Sequence, residues 1–261
     1  MDSAITAVCA VGGLLIGDGL EVVVQRNGDR APFDRPWWRC PSCAAAATGL
    51  GLVPLARSWS RARGCPACGQ PVAQAWRPLA LAVVTAAVLG GFGWRLGAQP
   101  VLAAFAVFGT GLVAVSAVDL EHYRIPNRIL YPTLFSTAAL LVVASAVDDR
   151  WGSLARAAIA GAIAFAGFFV VHLIVPHGMG FGDVRLAGLI GMGTGWLGLG
   201  HAFVAFMAAF LLGAAIGIVV MKVTGGGRKT KVPFGPFLAA GAVIAVLWGG
   251  PLVTTFLHRP S

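Results

Sequence analysis

Residues 100–118 read PVLAAFAVFGTGLVAVSAV and run directly into Asp119. The run contains no charge, and a helix needs about 20 apolar residues to cross roughly 30 Å of bilayer hydrocarbon. It is therefore read as a membrane span that ends on a carboxylate. Seven further windows are candidate spans, near 4–24, 78–97, 129–147, 153–175, 186–200, 202–221 and 234–256. The first is the weakest, because Asp18 and Glu21 interrupt it. It has no basic n-region and no small-residue cleavage site, so it is expected to be a retained anchor rather than a signal peptide. Only Gly200 and His201 divide the sixth window from the seventh. The expected fold is an all-α polytopic membrane protein of about eight transmembrane helices: a first helix at 1–24, a small cytoplasmic insert at 25–77, and a membrane core at 78–261.

Composition agrees. Of 261 residues 57% are hydrophobic and 11% charged, with a mean hydropathy of +0.81, against about 45–50% and 25% in soluble domains. One water-facing globule is excluded, and so is a mainly disordered chain. A net charge of +9 would suggest nucleic acid in a soluble protein, but membrane proteins use Lys and Arg to fix the sidedness of their loops. Fifteen of the nineteen Lys and Arg residues fall in 25–77, 119–128, 176–185 and 222–233, which alternate across the bilayer; Arg95, Arg150, Arg156 and Arg259 are the others. These four stretches are expected to face the cytoplasm, in an inner or plasma membrane, and the charge then calls for no nucleic acid. Gly225 to Lys231 lacks the Walker spacing and reads as a flexible basic connection.

Within 25–77 the sequence has Cys40-Pro41-Ser42-Cys43, twenty-one residues, then Cys65-Pro66-Ala67-Cys68. Each C-x-x-C places two thiolates on one tight turn, and four thiolates complete a tetrahedral zinc shell. A reducing cytoplasm disfavours two disulfides, so Cys40, Cys43, Cys65 and Cys68 are expected to hold structural zinc. So small an insert would draw much of its folding free energy from the metal. Trp37, Trp38, Trp59 and Trp76 are expected to cover its core or lie at the membrane surface. Cys9, inside the first span, reads as a small buried hydrophobe.

Of ten acids, Asp2, Asp29, Asp34, Asp148 and Asp149 fall in aqueous termini or loops, and Asp18 and Glu21 near the end of the first span. Asp119, Glu121 and Asp183 remain. Asp119 closes the third span, and Asp183 in Gly178-Met179-Gly180-Phe181-Gly182-Asp183 precedes the sixth, on the same side. Carboxylates at membrane depth are costly and tend to face protein or a watered cavity, so two from separate helices can converge. Two close carboxyl groups cannot both ionise and share a proton, as in aspartic peptidases. The alternative is that each acid caps a helix or pairs with Arg124 or Arg185.

Gly180-Phe181-Gly182-Asp183, continued by Val184-Arg185-Leu186, resembles the signature of the type IV prepilin peptidases, the GxGD class of membrane aspartic proteases. Asp119 followed six and seven residues later by Ile125-Pro126 is similar to that family's first catalytic segment. Leu52 to Trp59, and Pro233-Phe234-Gly235-Pro236-Phe237, also resemble family segments. The resemblance implies that Asp119 and Asp183 are the catalytic pair and that Gly180 and Gly182 belong to the active-site loop. It implies a prepilin or pseudopilin as substrate, cut on the cytoplasmic side after a glycine. Many members also methylate the new N-terminus with S-adenosylmethionine. The family's usual Gly-Ser-Phe-Leu-Asn-Val-Val is replaced here by Gly17-Asp18-Gly19-Leu20-Glu21-Val22-Val23, and its Glu at the start of the second span by Leu81. Both departures lie in the N-terminal third, and methyl transfer is the activity they bear on.

The histidines form no metal-ligand pattern: His122 and His177 flank the acids, while His172, His201 and His258 read as interfacial or packing residues. Gly188, Gly191, Gly193, Gly195 and Gly198 make the sixth span rich in small residues, which suits close helix packing. Two competing functions are a proton-coupled transporter, which would place its acids at mid-span beside broken helices, and a non-catalytic scaffold of a pilus or secretion assembly.

Overall fold

The computed structural model describes residues 2–28, 43, 45, 65, 67–69, 76–175, 179–224 and 233–257. Among the described residues there are eight helices and no strand: α1 (Asp2–Gly28), α2 (Trp76–Leu96), α3 (Val101–His122), α4 (Asn127–Val147), α5 (Trp151–Ile174), α6 (Phe181–Leu197), α7 (Leu199–Thr224) and α8 (Gly235–Leu257). Seven of them are long and apolar enough to cross a membrane; the exception is α6, with 17 residues. At 1.5 Å per residue α6 extends about 25 Å, short of the hydrocarbon thickness. Cys40, Trp37, Trp38, Trp59, His177, His258 and the 225–231 connection lie outside the described residues.

The chain divides into two compact units, Met1–Trp94 and Arg95–Ser261. In the first, α1 and α2 approach through small residues. A β-carbon on Gly13 would lie 2.6 Å from the Ala86 Cα, and one on Gly17 would lie 2.5 Å from the Leu81 carbonyl oxygen. One on Gly93 would lie 2.9 Å from the Cys9 sulfur. Backbones that close need glycine at the crossing, the usual device of membrane helices, where burial in lipid supplies no hydrophobic drive. Asp18 and Glu21 are buried, and Glu21 Oε1 lies 3.7 Å from Arg77 Nη1.

The second unit is arranged around α6, which packs against α4, α5, α7 and α8. Its buried residues include Leu186, Leu189, Ile190, Thr194 and Trp196. Glycines permit this crowding: a β-carbon on Gly191 would lie 2.6 Å from the Ala160 carbonyl oxygen, and one on Gly193 2.9 Å from the Phe108 ring. At the far end the Trp196 indole N–H donates to Ser145 Oγ at 3.0 Å, and the Arg150 guanidinium covers the ring at 4.3 Å. By contrast α7 leaves Phe203, Leu211 and Val219 each about 60% exposed. A strip that apolar fits a helix whose solvent is lipid. The chain is a multi-pass membrane protein.

The connections from α3 to α4, from α4 to α5 and from α6 to α7 are short. The break between α6 and α7 falls at Gly198, with φ 156° and ψ 153°, a backbone region essentially restricted to glycine. It lies two residues before the Gly200-His201 boundary drawn from hydropathy. Between α3 and α4, Tyr123 takes a left-handed conformation, φ 52°, and its N–H donates to the Asp119 carbonyl at 2.9 Å. Pro126 is extended and caps α4. The last turn of α3 is thereby joined to the first turn of α4 by four residues.

Candidate active site

Asp119 lies in that last turn of α3, 5% exposed. Its Oδ2 accepts a hydrogen bond from the Gly235 N–H at 2.9 Å, across 116 residues of chain. Gly235 opens α8, so the carboxylate sits against a helix N-terminus, where unsatisfied N–H groups and the helix dipole favour negative charge. A β-carbon at Gly235 would come within 2.7 Å of the same oxygen. Glycine is what lets the donor approach.

Asp183 is the third residue of α6. Gly180 caps this helix with extended backbone, φ −70° and ψ 145°. The Gly180 N–H donates to Asp183 Oδ2 at 3.2 Å, and the Asp183 N–H donates back to the Gly180 carbonyl at 3.0 Å. The carboxylate bond is one half of a capping box; glycine has no side chain for the other half, and its carbonyl takes the Asp183 N–H instead, so Asp183 does cap its helix. This leaves the carboxylate oriented, not neutralised: among the described residues no ion pair joins Asp183 to Arg185. Asp183 precedes the apolar body of α6, and its carboxyl is pushed up to about 6. Burial is the main cause and the nearby Asp119 charge the second, with the Gly180 N–H opposing both.

The structure thus brings together two acids from separate helices, each held by a helix N-terminus, with Asp183 feeling the charge of Asp119. Such a pair can hold one proton between two carboxyl groups. The glycines of the loop differ from one another. A β-carbon on Gly182 would lie 2.8 Å from Ile125 Cβ, whereas one on Gly180 would meet Asp183 Oδ2 only at 3.4 Å. Gly182 is therefore where the Asp183 turn closes on the segment that follows Asp119.

Two contributors were not predicted as site residues. Gly235 belongs to the quoted Pro233 to Phe237 segment, but nothing local to it announces a bond to Asp119. His172, read as packing, places Nδ1 2.8 Å from the Met179 carbonyl, with its ring 5.6 Å from Phe181. It thereby ties the end of α5 to the turn that carries Asp183. His122 lies 3.9 Å from Glu121 Oε2.

In the first unit the sulfurs of Cys43, Cys65 and Cys68 all lie within 4.8 Å of one another, and those of Cys43 and Cys65 are 3.6 Å apart. Ligands 2.3 Å from a tetrahedral zinc stand about 3.8 Å apart. The Gly69 N–H bonds the Cys65 carbonyl at 2.7 Å, with Gly69 at φ 71°, which folds the second C-x-x-C into a knuckle. These three thiols can hold a metal.

Comparison with known proteins agrees with the geometry. The type IV leader peptidase family matches residues 106–218, a stretch that includes both aspartates. A Bacillus subtilis protein named prepilin leader peptidase/N-methyltransferase is 31% identical over 246 residues, covering 94% of this chain and 95% of that protein. Proteins of the same name from Stutzerimonas stutzeri and Pseudomonas aeruginosa are 28% and 27% identical; the alignments cover 92% and 94% of this chain, and 81% and 91% of theirs. No solved structure matches the chain. With the relatives aligned over nearly its whole length and the family match spanning the paired acids, the chain belongs to the type IV leader peptidase family.

Proposed function

We propose that this protein is a membrane aspartic endopeptidase that removes the leader from type IV prepilins or pseudopilins, with Asp119 and Asp183 as its catalytic pair. The observation that carries the reading is the convergence of the two carboxylates: Asp119 raises Asp183, and each accepts a backbone N–H from a helix start. In this mechanism the ionised member takes a proton from water as it attacks the scissile carbonyl, and the protonated member donates to the carbonyl oxygen. Both acids lie at helix ends, whereas the transporter reading calls for acids at mid-span. The distribution of Lys and Arg supports a cytoplasm-facing site. Gly180 and Gly182 shape the loop beside the scissile bond.

Cys43, Cys65 and Cys68, with Cys40 as fourth ligand, would hold structural zinc in the 25–77 insert. The relatives are also named N-methyltransferases. For this chain methyl transfer from S-adenosylmethionine to the new N-terminus is proposed as a second activity, separable from cleavage. The test is mass spectrometry of a prepilin incubated with membranes containing the protein and S-adenosylmethionine, beside Asp119→Ala and Asp183→Ala. A shortened product that requires both aspartates is expected, and a further mass of one methyl group would report the transferase. An intact leader across a panel of prepilins, or cleavage by either single variant, overturns the peptidase assignment.

A further inference from the structure

Arg185 stands two residues beyond Asp183, yet its guanidinium is engaged elsewhere. Nη1 donates to Asn127 Oδ1, 58 residues away on the first turn of α4. The guanidinium carbon lies 4.4 Å from the Phe181 ring centre and 5.5 Å from that of Tyr131. Positions i and i+2 of a helix do not face each other, so the charge turns toward α4 and away from the carboxylate. Phe181 in turn meets Phe165, Phe169 and His172 of α5. One side chain thus bridges the starts of α4 and α6 and, through Phe181, the end of α5.

The bridge lies where the two aspartate-bearing segments touch. Asn127 directly follows Ile125-Pro126, and Ile125 packs against Gly182. A planar guanidinium suits this place, because it can hydrogen-bond at its edge while stacking on an aromatic face. A lysine offers neither the fork nor the flat surface.

We propose that Arg185 is a positioning residue: by clasping Asn127, Tyr131 and Phe181 it fixes the spacing between the segment that follows Asp119 and the turn that carries Asp183. The proposal rests on the peptidase reading for its kinetic consequence. A misplacement of about 1 Å can cost roughly 100-fold in rate. Arg185→Gln and Asn127→Leu are therefore each expected to lower kcat for leader cleavage by about 10- to 100-fold, with KM within about twofold if substrate binding is untouched.

The test is a double-mutant cycle in membrane-reconstituted full-length protein, with kcat and KM measured on a prepilin. Non-additivity is expected, the double variant cleaving about as fast as either single one, since both changes open the same clasp. Asn127→Asp, which retains an acceptor for the guanidinium, should restore kcat to within about threefold of the starting protein; Arg185→Lys should resemble Arg185→Gln. A rise in KM at unchanged kcat would make Arg185 a substrate contact and overturn the proposal, as would additive single effects or a failed rescue. If the unsubstituted protein cleaves no prepilin, it is the peptidase reading that fails. The same cycle followed by thermal unfolding then decides the clasp: coupling between the two sites supports it and strict additivity rejects it.

Discussion

Asp119 and Asp183 are held in the same way at opposite ends of a helix: one ends α3 and the other begins α6, but each carboxylate accepts a main-chain N–H at the start of a helix. Replacing either by Asn preserves the shape and an acceptor oxygen while removing the exchangeable acid. Each Asn variant should still insert and melt near the temperature of the starting protein, yet lose cleavage by at least about 100-fold. A melting curve beside a leader-cleavage assay separates the two effects. The pair also sets a pH limit. A carboxyl raised to about 6 keeps its proton until the pH approaches that value, and the reaction needs one protonated and one ionised group. Cleavage should therefore fall as pH rises past about 6, with an apparent pKa that belongs to the pair rather than to Asp183 alone. A kcat/KM profile flat from pH 5 to 8 would contradict the shared-proton mechanism.

Helices in this molecule meet through glycine, and the space around each glycine says which ones matter. On α6, a β-carbon at Gly191 would press on the Ala160 carbonyl at 2.6 Å and the Ala164 Cβ at 2.8 Å; on α5, Gly167 has nothing within 4 Å. Gly191→Ala should destabilise the protein by about 1–3 kcal/mol through overpacking, whereas Gly167→Ala should be neutral or slightly stabilising. Detergent-solubilised melting temperatures compare them directly, and equal effects would remove the packing argument. Gly235→Ala is a different case, because the atom it meets at 2.7 Å is the movable carboxylate of Asp119. It should leave the melting temperature nearly unchanged but lower kcat by about 100-fold, measurable on the same prepilin. These elements also mark what the sequence could disclose. Spans were legible because about 20 uncharged residues have one physical use. Helix ends were not: α6 begins in the polar turn capped by Gly180, before the 186–200 window, and stops at Gly198 because of a backbone angle hydropathy does not register. Asp119 and Asp183 stood out as acids beside apolar runs. Gly235 did not, since no local pattern encodes a contact across 116 residues, and neither did His172, whose partner Met179 is only seven residues on but lies in a turn that hydropathy does not register.

At the scale of the chain, the cysteines and the aspartates fall in different compact units, Met1–Trp94 and Arg95–Ser261. The three described thiols lie within 4.8 Å of one another in an insert too small to bury a core of its own, so bound metal would contribute directly to the folding of that insert. The second unit has its own core around α6, with Trp196, Leu186 and Leu189 fully buried. Loss of metal should therefore unfold the insert and leave the paired carboxylates in register. Cys43→Ser combined with Cys65→Ser is expected to abolish zinc in the purified protein, measured by inductively coupled plasma mass spectrometry. Aspartate-dependent leader cleavage in membranes should persist, and any methyl transfer should be lost if it depends on the first unit. Cleavage that disappears with the metal, in a variant still inserted and helical, would mean that the insert is needed to present the substrate, and the two units would then have to be treated as one catalytic body.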